Sequence, residues 1–257
     1  MSVPRAIAII GYKDAGKTRV VEALVRELTR RGRRVGTLKH ASRTHLLDTP
    51  GKDTWRHREA GSKASAILTS ESTAVFLSHP LSVADAAARL GPLDLIVIEG
   101  FKSLDAVARI IVPRGAGEVE ELANGLEIAV SAPSVEGISA QEGGVPVIPL
   151  GRIEELADLV ESKAFPLLPG LDCGGCGYGS CRELARAILA CEAGAERCVD
   201  HAGGAVRLRV DGRGLAMNPF VRKAFRNVVL GMVRTLRGGE NPRRVELAFD
   251  VEGGEVE

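Results

Sequence analysis

Residues Gly11-Tyr-Lys-Asp-Ala-Gly-Lys-Thr18 satisfy the pattern G-x-x-x-x-G-K-[ST] in full, between an apolar run at 6–10 and a helix-like stretch. The pattern constrains the fold because it works only where a strand delivers the loop to a helix N-terminus. There the glycines let backbone amides turn inward, the helix dipole adds to them, and an anion nest results. Val20, Leu24 and Leu28 recur at helical spacing between Lys17 and about Arg31, and Gly32 is placed to end the helix. Gly11, Lys13, Asp14, Ala15 and Gly16 are therefore expected to surround the phosphates of a nucleotide. Lys17 is expected to reach the β- and γ-phosphates, and Thr18 to ligate Mg²⁺.

After the loop, residues 35–38, 66–69, 74–77, 95–98, 110–112, 128–130 and 145–148 read as strands, with helices at 83–90 and 152–162. Strands alternating with helices predict an α/β fold with a doubly wound, mostly parallel sheet. The phosphate loop then lies at the carboxyl edge of that sheet. Pro166, Pro169 and Gly170 break the pattern and divide the chain into a nucleotide-binding domain at 1–163, a four-cysteine module at 164–202 and a small unit at 203–257. That last unit reads as strand–helix–strand. Residues 205–210 alternate, Asp211-Gly212 signals a turn, Asn218-Pro219 caps a helix to about Leu236, and 245–249 closes the unit, with 253–257 frayed. Arg222, Lys223, Arg226, Arg234 and Arg237 share one side of its helix, read either as a solvated face or as a docking or pterin-phosphate surface.

Charge excludes more than it suggests. A formal net charge of +1 gives no argument for nucleic acid or a membrane as partner, so neither is expected. No apolar run approaches the length of a membrane span. Met-Ser-Val-Pro-Arg enters a strand at once and leaves no room for a signal peptide, which predicts a cytoplasmic protein.

A phosphate loop needs an acidic partner at the end of a buried strand. Leu93-Asp-Leu-Ile-Val-Ile-Glu-Gly100 supplies Glu99, expected to hold Mg²⁺ through water or to orient an attacking water. Asp94, at the other end of that strand, is expected far from the nucleotide. The charged stretch Asp48-Thr-Pro-Gly-Lys-Asp-Thr-Trp-Arg-His-Arg-Glu-Ala-Gly61 has two readings. It is either a solvated loop opening a surface helix, or a switch-like loop with Asp48 near Mg²⁺ and Lys52, Arg56 or Arg58 facing phosphate. His40 and His57 read as structural or surface residues. No Asn-Lys-x-Asp element is visible, so the residues do not choose GTP over ATP.

Taken together, the phosphate loop, Val35-Gly-Thr-Leu-Lys-His40, Asp48-Thr-Pro-Gly-Lys-Asp53, Arg56-His-Arg-Glu-Ala-Gly61 and Ile98-Glu-Gly-Phe-Lys102 resemble the MobB family of molybdopterin-guanine dinucleotide biosynthesis proteins. The resemblance covers about the first 160 residues. It implies a protein that binds GTP, hydrolyses it slowly and assists the guanylyltransferase joining GMP to molybdopterin. It also implies site roles for Asp48, Lys52, Asp53, Glu99 and Lys102, with Lys17, Glu99 and Asp48 as the catalytic set. Two departures stand out. Ala41-Ser-Arg-Thr-His45 replaces a run that in the family usually carries acidic and His residues, and Arg19 follows Thr18 where the family commonly has Thr. Members commonly end near the first domain, whereas this chain continues.

All five cysteines fall between Cys173 and Cys198, and four follow C-x2-C-x4-C-x16-C at Cys173, Cys176, Cys181 and Cys198. Gly174, Gly175, Gly177 and Gly179 are interleaved, so the backbone can close around a compact inorganic core. Four thiolates on a loop plus a helix suit a [4Fe–4S] cluster. Structural zinc also takes four cysteines, though usually in two short knuckles, and disulfides are the third reading. The run Cys-Gly-Gly-Cys-Gly-Tyr-Gly-Ser-Cys-Arg-Glu-Leu-Ala-Arg-Ala-Ile is similar to the cluster domain of corrinoid iron–sulfur proteins and electron-transport complex B subunits, which implies [4Fe–4S]. Cys191 falls where that domain commonly has Gly, and is left out.

Three functions remain. One is a GTP-binding accessory of molybdenum or tungsten cofactor maturation, partnered by a guanylyltransferase and a molybdo- or tungstoenzyme, with a homodimer possible. Another is a nucleotide-gated iron–sulfur redox protein. The third is a metallochaperone carrying metal in transit.

Overall fold

In the computed structural model the described residues are 4–41, 46–133, 138, 141–142, 144–201, 206, 208–210, 213–215, 217–243 and 245–248. Strand β1 (Arg5–Ile10) is buried on both faces. Ala6, Ala8 and Ile10 enter one core cluster, while Ile7 and Ile9 enter the other. Helix α1 (Lys17–Arg30) follows the phosphate loop and buries Val20, Leu24 and Leu28 completely. Each buried leucine contributes roughly 1.5–3 kcal/mol.

The chain continues through β2 (Val35–Lys39), α2 (Asp53–Glu59), β3 (Ala64–Leu68), β4 (Thr73–Leu77), α3 (Val83–Arg89), β5 (Leu95–Glu99), β6 (Ala108–Ile111), α4 (Gly117–Leu122) and β7 (Glu127–Val130). Next come β8 (Gln141–Glu142), β9 (Val145–Pro146), α5 (Ile153–Lys163), β10 (Phe165–Pro166) and α6 (Cys181–Leu189). Last are β11 (Leu208–Val210), β12 (Arg213–Leu215) and α7 (Pro219–Arg234).

The main sheet runs β2-β5-β1-β6-β7, with every pair parallel, and β10 adds antiparallel to the start of β1. This is the expected doubly wound α/β sheet. One face carries α1 and α5, and Arg31 clamps the two helices by bridging Glu27 at 2.7 Å, Asp158 at 2.6 Å and Glu161 at 2.8 Å. Crowded by Arg30 and Arg31, the Glu27 carboxyl is pulled down to a pKa of about 2.

The cysteine segment packs into the same core. Cys181, Leu184, Ala185 and Cys198 belong to the cluster that holds α1 and α5. Arg182 of α6 pairs with Asp105 at 2.9 Å, and Arg186 donates to the Asn124 carbonyl at 2.7 Å. A border after residue 163 falls between α5 and β10, which pairs with β1 in the main sheet.

Several expected elements differ. β3 and β4 form a separate antiparallel hairpin, with Leu68 and Val75 exposed. α7 ends at Arg234, not Leu236. The expected closing strand at 245–249 is no strand over its described residues 245–248, where Leu247 is 65% exposed and has no core to pack on. The third unit is a β11–β12 hairpin followed by α7. The expected turn at Asp211-Gly212 and the frayed end at 253–257 lie outside the described residues.

Candidate nucleotide and metal sites

The phosphate loop is shaped by backbone constraints. Gly16 caps α1 at φ 88°, and a Cβ there would meet the Pro133 ring at 2.7 Å. Gly11 has still less room, because a Cβ would lie 2.3 Å from the Val112 carbonyl oxygen. Asp14 adds a positive φ of 60°. The loop is thus held between β1 and the ends of β6 and β7, with the N-terminus of α1 behind it. Lys13 and Asp14 are exposed and Ala15 is buried.

The Lys17 ammonium donates to the Tyr12 carbonyl at 2.6 Å. Burial lowers its pKa, Glu99 opposes that shift, and Lys102 and Lys39 reinforce it. Two further ammonium groups therefore act on Lys17, opposed by Asp14 and, more strongly, by a second carboxylate. That carboxylate is Glu99, 9% exposed at the end of β5. Its Oε1 accepts from the Thr18 hydroxyl at 3.0 Å and pairs with Lys39 at 3.1 Å. Two oxygen donors and a cation thus share one point at the head of α1. That donor chemistry fits Mg²⁺.

Gly100 (φ 87°) and Phe101 (φ 56°) turn the chain left-handed immediately after Glu99. A non-glycine residue in this region costs about 1–3 kcal/mol and is characteristic of functional sites. The turn brings Lys102 back over the loop, its Nζ 3.5 Å from the centre of the Tyr12 ring. Arg114 lies on the same ring at 5.3 Å, and the Tyr12 hydroxyl donates to Glu121 at 2.9 Å.

The structure brings Thr18, Lys17, Glu99 and Lys102 together but not the 48–61 stretch. Asp48 accepts from the Thr49 amide at 2.8 Å and the Thr54 hydroxyl at 3.1 Å, and pairs with Arg58 at 3.4 Å. Among the described residues no hydrogen bond or ion pair joins Asp48 or Lys52 to the phosphate loop; Lys52, Asp53 and Arg56 are exposed. Asp48 fastens its own loop. Asp94, at the far end of β5, is bound by Arg34 at 2.8 Å, as its position implied. His40 packs its ring 4.7 Å from Phe101. Residues 42–45 lie outside the described residues.

Sequence reasoning overlooked Lys39, Tyr12 and Arg114. Lys39 and Glu99 are register partners at the ends of β2 and β5, an adjacency that the strand pattern does not encode. Tyr12 sits inside the loop pattern at a position the pattern leaves unspecified.

At the other centre, Cys173, Cys176, Cys181 and Cys198 line one small cavity with Pro169, Leu184 and Val199. Cys191 is exposed and not part of that lining. All five cysteines are free in this structure. Ser180 caps α6 by accepting from the Glu183 amide at 3.1 Å, and Asp172 accepts from the Cys181 amide at 2.6 Å. The loop and α6 thereby direct thiols inward. Burial pushes the Cys181 and Cys198 thiols up from the ordinary value of 9.0. Burial thus disfavours the thiolate form of both, a cost that a cationic core would offset. Four sulfurs around a cavity suit a multinuclear core better than one ion.

Fold and loop define a P-loop protein of the doubly wound α/β type. The model described as "MobB: Molybdopterin guanine dinucleotide synthesis protein B" matches residues 6–132, and one described as "Putative Fe-S cluster" matches residues 168–199. An Escherichia coli protein titled "Molybdopterin-guanine dinucleotide biosynthesis adapter protein" is 31% identical over 162 residues, covering 60% of this chain and 90% of its own length. A Haemophilus influenzae protein of the same title is 31% identical over 165 residues, covering 61% of this chain and 87% of its own. The chain belongs to the MobB family. A Methanocaldococcus jannaschii protein titled "Putative molybdopterin-guanine dinucleotide biosynthesis adapter protein" is 28% identical over 249 residues, 96% of this chain and 98% of its own. The match therefore extends through the cysteine segment and beyond. Bacillus subtilis MobB superposes with a TM-score of 0.53 at 22% identity, over 62% of this chain and 96% of its own, which supports the shared fold. Among the described residues no helix is long and apolar enough to cross a membrane.

Proposed function

We propose that the chain is a GTP-binding accessory of molybdenum or tungsten cofactor maturation, a slow hydrolase assisting a guanylyltransferase, with a [4Fe–4S] cluster in the same chain. The observation that carries the nucleotide half is the Thr18–Glu99 contact of 3.0 Å beneath three lysines. In this reading Lys17 leaves the Tyr12 carbonyl for the β- and γ-phosphates, while Lys102 and Lys39 add cations around them. Thr18 and Glu99 hold Mg²⁺, with Gly11, Lys13, Asp14, Ala15 and Gly16 presenting backbone amides to phosphate. Bound Mg²⁺ would neutralise phosphate charge during transfer. Glu99 is also the group placed to orient water. Asp48, bonded to Thr54 and Arg58 within the 48–61 loop, and the exposed Lys52 are the further groups proposed to act on the phosphates.

At the other centre Cys173, Cys176, Cys181 and Cys198 are the ligands, and α6 excludes water from them. The titles of the relatives support a place in molybdopterin-guanine dinucleotide biosynthesis. The test is calorimetric titration of GTP and ATP with Mg²⁺ into the wild type and Lys17→Ala. Tight GTP binding, lost in the variant, supports the reading; equal binding by the variant rejects it.

One observation favours nucleotide-gated redox chemistry as a second reading. The segment leaving Glu99 reaches Asp105, which grips Arg182 on the cysteine-bearing helix. Nucleotide affinity that changes between oxidised and reduced protein would support this reading, and identical affinities would remove it.

A further inference from the structure

The C-terminal helix sends one side chain into the cysteine site. Arg222, in the first turn of α7, directs Nη2 at Cys173 Sγ across 3.8 Å, from 49 residues further along the chain. Its Nη1 is buried and, among the described residues, has no hydrogen-bond partner. The other cations of α7, Lys223, Arg226 and Arg234, are exposed, as is Arg237 just beyond the helix. A half-buried guanidinium cannot shed its proton, and an unpaired buried N–H is costly. The arrangement makes sense only opposite a negative group, and the nearest sulfur is a cluster ligand in the reading above.

What surrounds the site sharpens the point. Cys181 feels the negative charge of Asp172, and Cys198 that of Asp200. The remaining lining carries no charge, coming from Pro169, Gly174, Ser180, Leu184 and Val199. Arg222 is the cation set against these charges. Helix α7 is held for this task at its start, where the Asn218 side chain caps it by accepting from the Val221 amide at 2.9 Å and Met217 is 5% exposed. The helix makes little other packing, with Phe220 in the same turn 80% exposed and Val228 and Met232 further along 62% and 67% exposed. Packing therefore does not explain why Arg222 points inward.

We infer that Arg222 is a positioning residue for the cysteine-bound cluster, donating to the Cys173 sulfur and raising the reduction potential. The inference rests on the cluster reading. Reduction adds one electron to the cluster, here from dithionite through mediators, and so adds one negative charge among the four thiolates. A fixed cation and an N–H donor at one sulfur favour that reduced state. No proton transfer is required, because arginine stays charged throughout.

The test is an anaerobic redox titration followed by EPR on full-length wild type, Arg222→Gln, Arg222→Lys and Arg226→Gln, each with iron and sulfide measured first. Arg222→Gln should disfavour reduction about tenfold, equal to about 59 mV for one electron. Arg222→Lys should recover part of that shift, and Arg226→Gln, which removes the same charge from the exposed face, should match the wild type. Should Arg222→Gln not retain its cluster, Arg222→Lys carries the comparison, with a smaller shift of the same sign. Equal potentials for the wild type and the Arg222 variants overturn the inference while leaving the cluster reading intact. A wild type containing zinc without sulfide overturns both.

Discussion

At the phosphate loop the backbone does the shaping. Gly11 and Gly16 are pressed against Val112 and Pro133, and polar side chains stand ready around the nest before any ligand arrives. The cysteine pocket is the reverse: uncharged residues line it beside the thiols, and burial of two of those thiols disfavours their charged form. One site is preorganised for an anion, whereas the other is completed by its cofactor. Their ligands should therefore contribute differently to the fold. Removing nucleotide should leave the α/β domain standing, whereas removing the cluster should loosen a segment that shares its core with α1 and α5.

The largest contrast is expected at the cysteines. Cys181→Ser should abolish bound iron and sulfide and lower the melting temperature, while Cys191→Ser should retain full metal content, because Cys191 is exposed. Metal analysis and thermal melts check both. Retention of iron by Cys181→Ser would remove it from the ligand set.

Next comes Lys17→Ala. Loss of a charge-assisted hydrogen bond worth about 1.5–3 kcal/mol should weaken nucleotide binding roughly 10–150-fold while leaving the circular dichroism spectrum intact. Lys39→Ala should act in the same direction but less, about threefold, because that side chain is 58% exposed.

Gly11→Ala tests the shaping of the loop itself. Overpacking against Val112 should cost about 1–3 kcal/mol and lower the melting temperature by roughly 2–12 °C. A melt unchanged within error would show that the loop yields more readily than the 2.3 Å approach implies.

The smallest effect is a pH dependence specific to metal-free protein. Because burial raises the Cys181 and Cys198 thiols above 9.0, the folded state favours the neutral form. That stabilisation is present below pH 9 and is lost as pH rises through the raised folded values. Urea unfolding of apo protein should show a decline above about pH 9 that metal-loaded protein lacks. A parallel decline in both would separate it from the cysteines.

What could be read from sequence follows how local each feature is. The phosphate loop, α1 and the cysteine spacing are contiguous, so pattern and chemistry coincide. Glu99 was readable from an apolar strand ending in an acid, but its pairing with Lys39 depends on β2 lying beside β5, which periodicity does not encode. β3 and β4 alternated as strands should, yet alternation does not say whether a strand joins the main sheet or a separate hairpin. At 245–248 the alternation was present but no core lies opposite it. Arg222 left no signal at all, since a basic residue on an amphipathic helix reads as solvated until the fold brings it to Cys173. Asp48 shows the converse limit. A charged loop motif fits a phosphate contact as well as it fits the internal bonding to Thr54 and Arg58.

The most direct measurement is iron, acid-labile sulfide and zinc per chain in anaerobically purified protein, with GTP binding determined on the same sample. About four irons and four sulfides per chain together with saturable GTP binding is the predicted result. One zinc per chain without sulfide, or a cluster-bearing chain that binds no nucleotide, would contradict the union of the two sites.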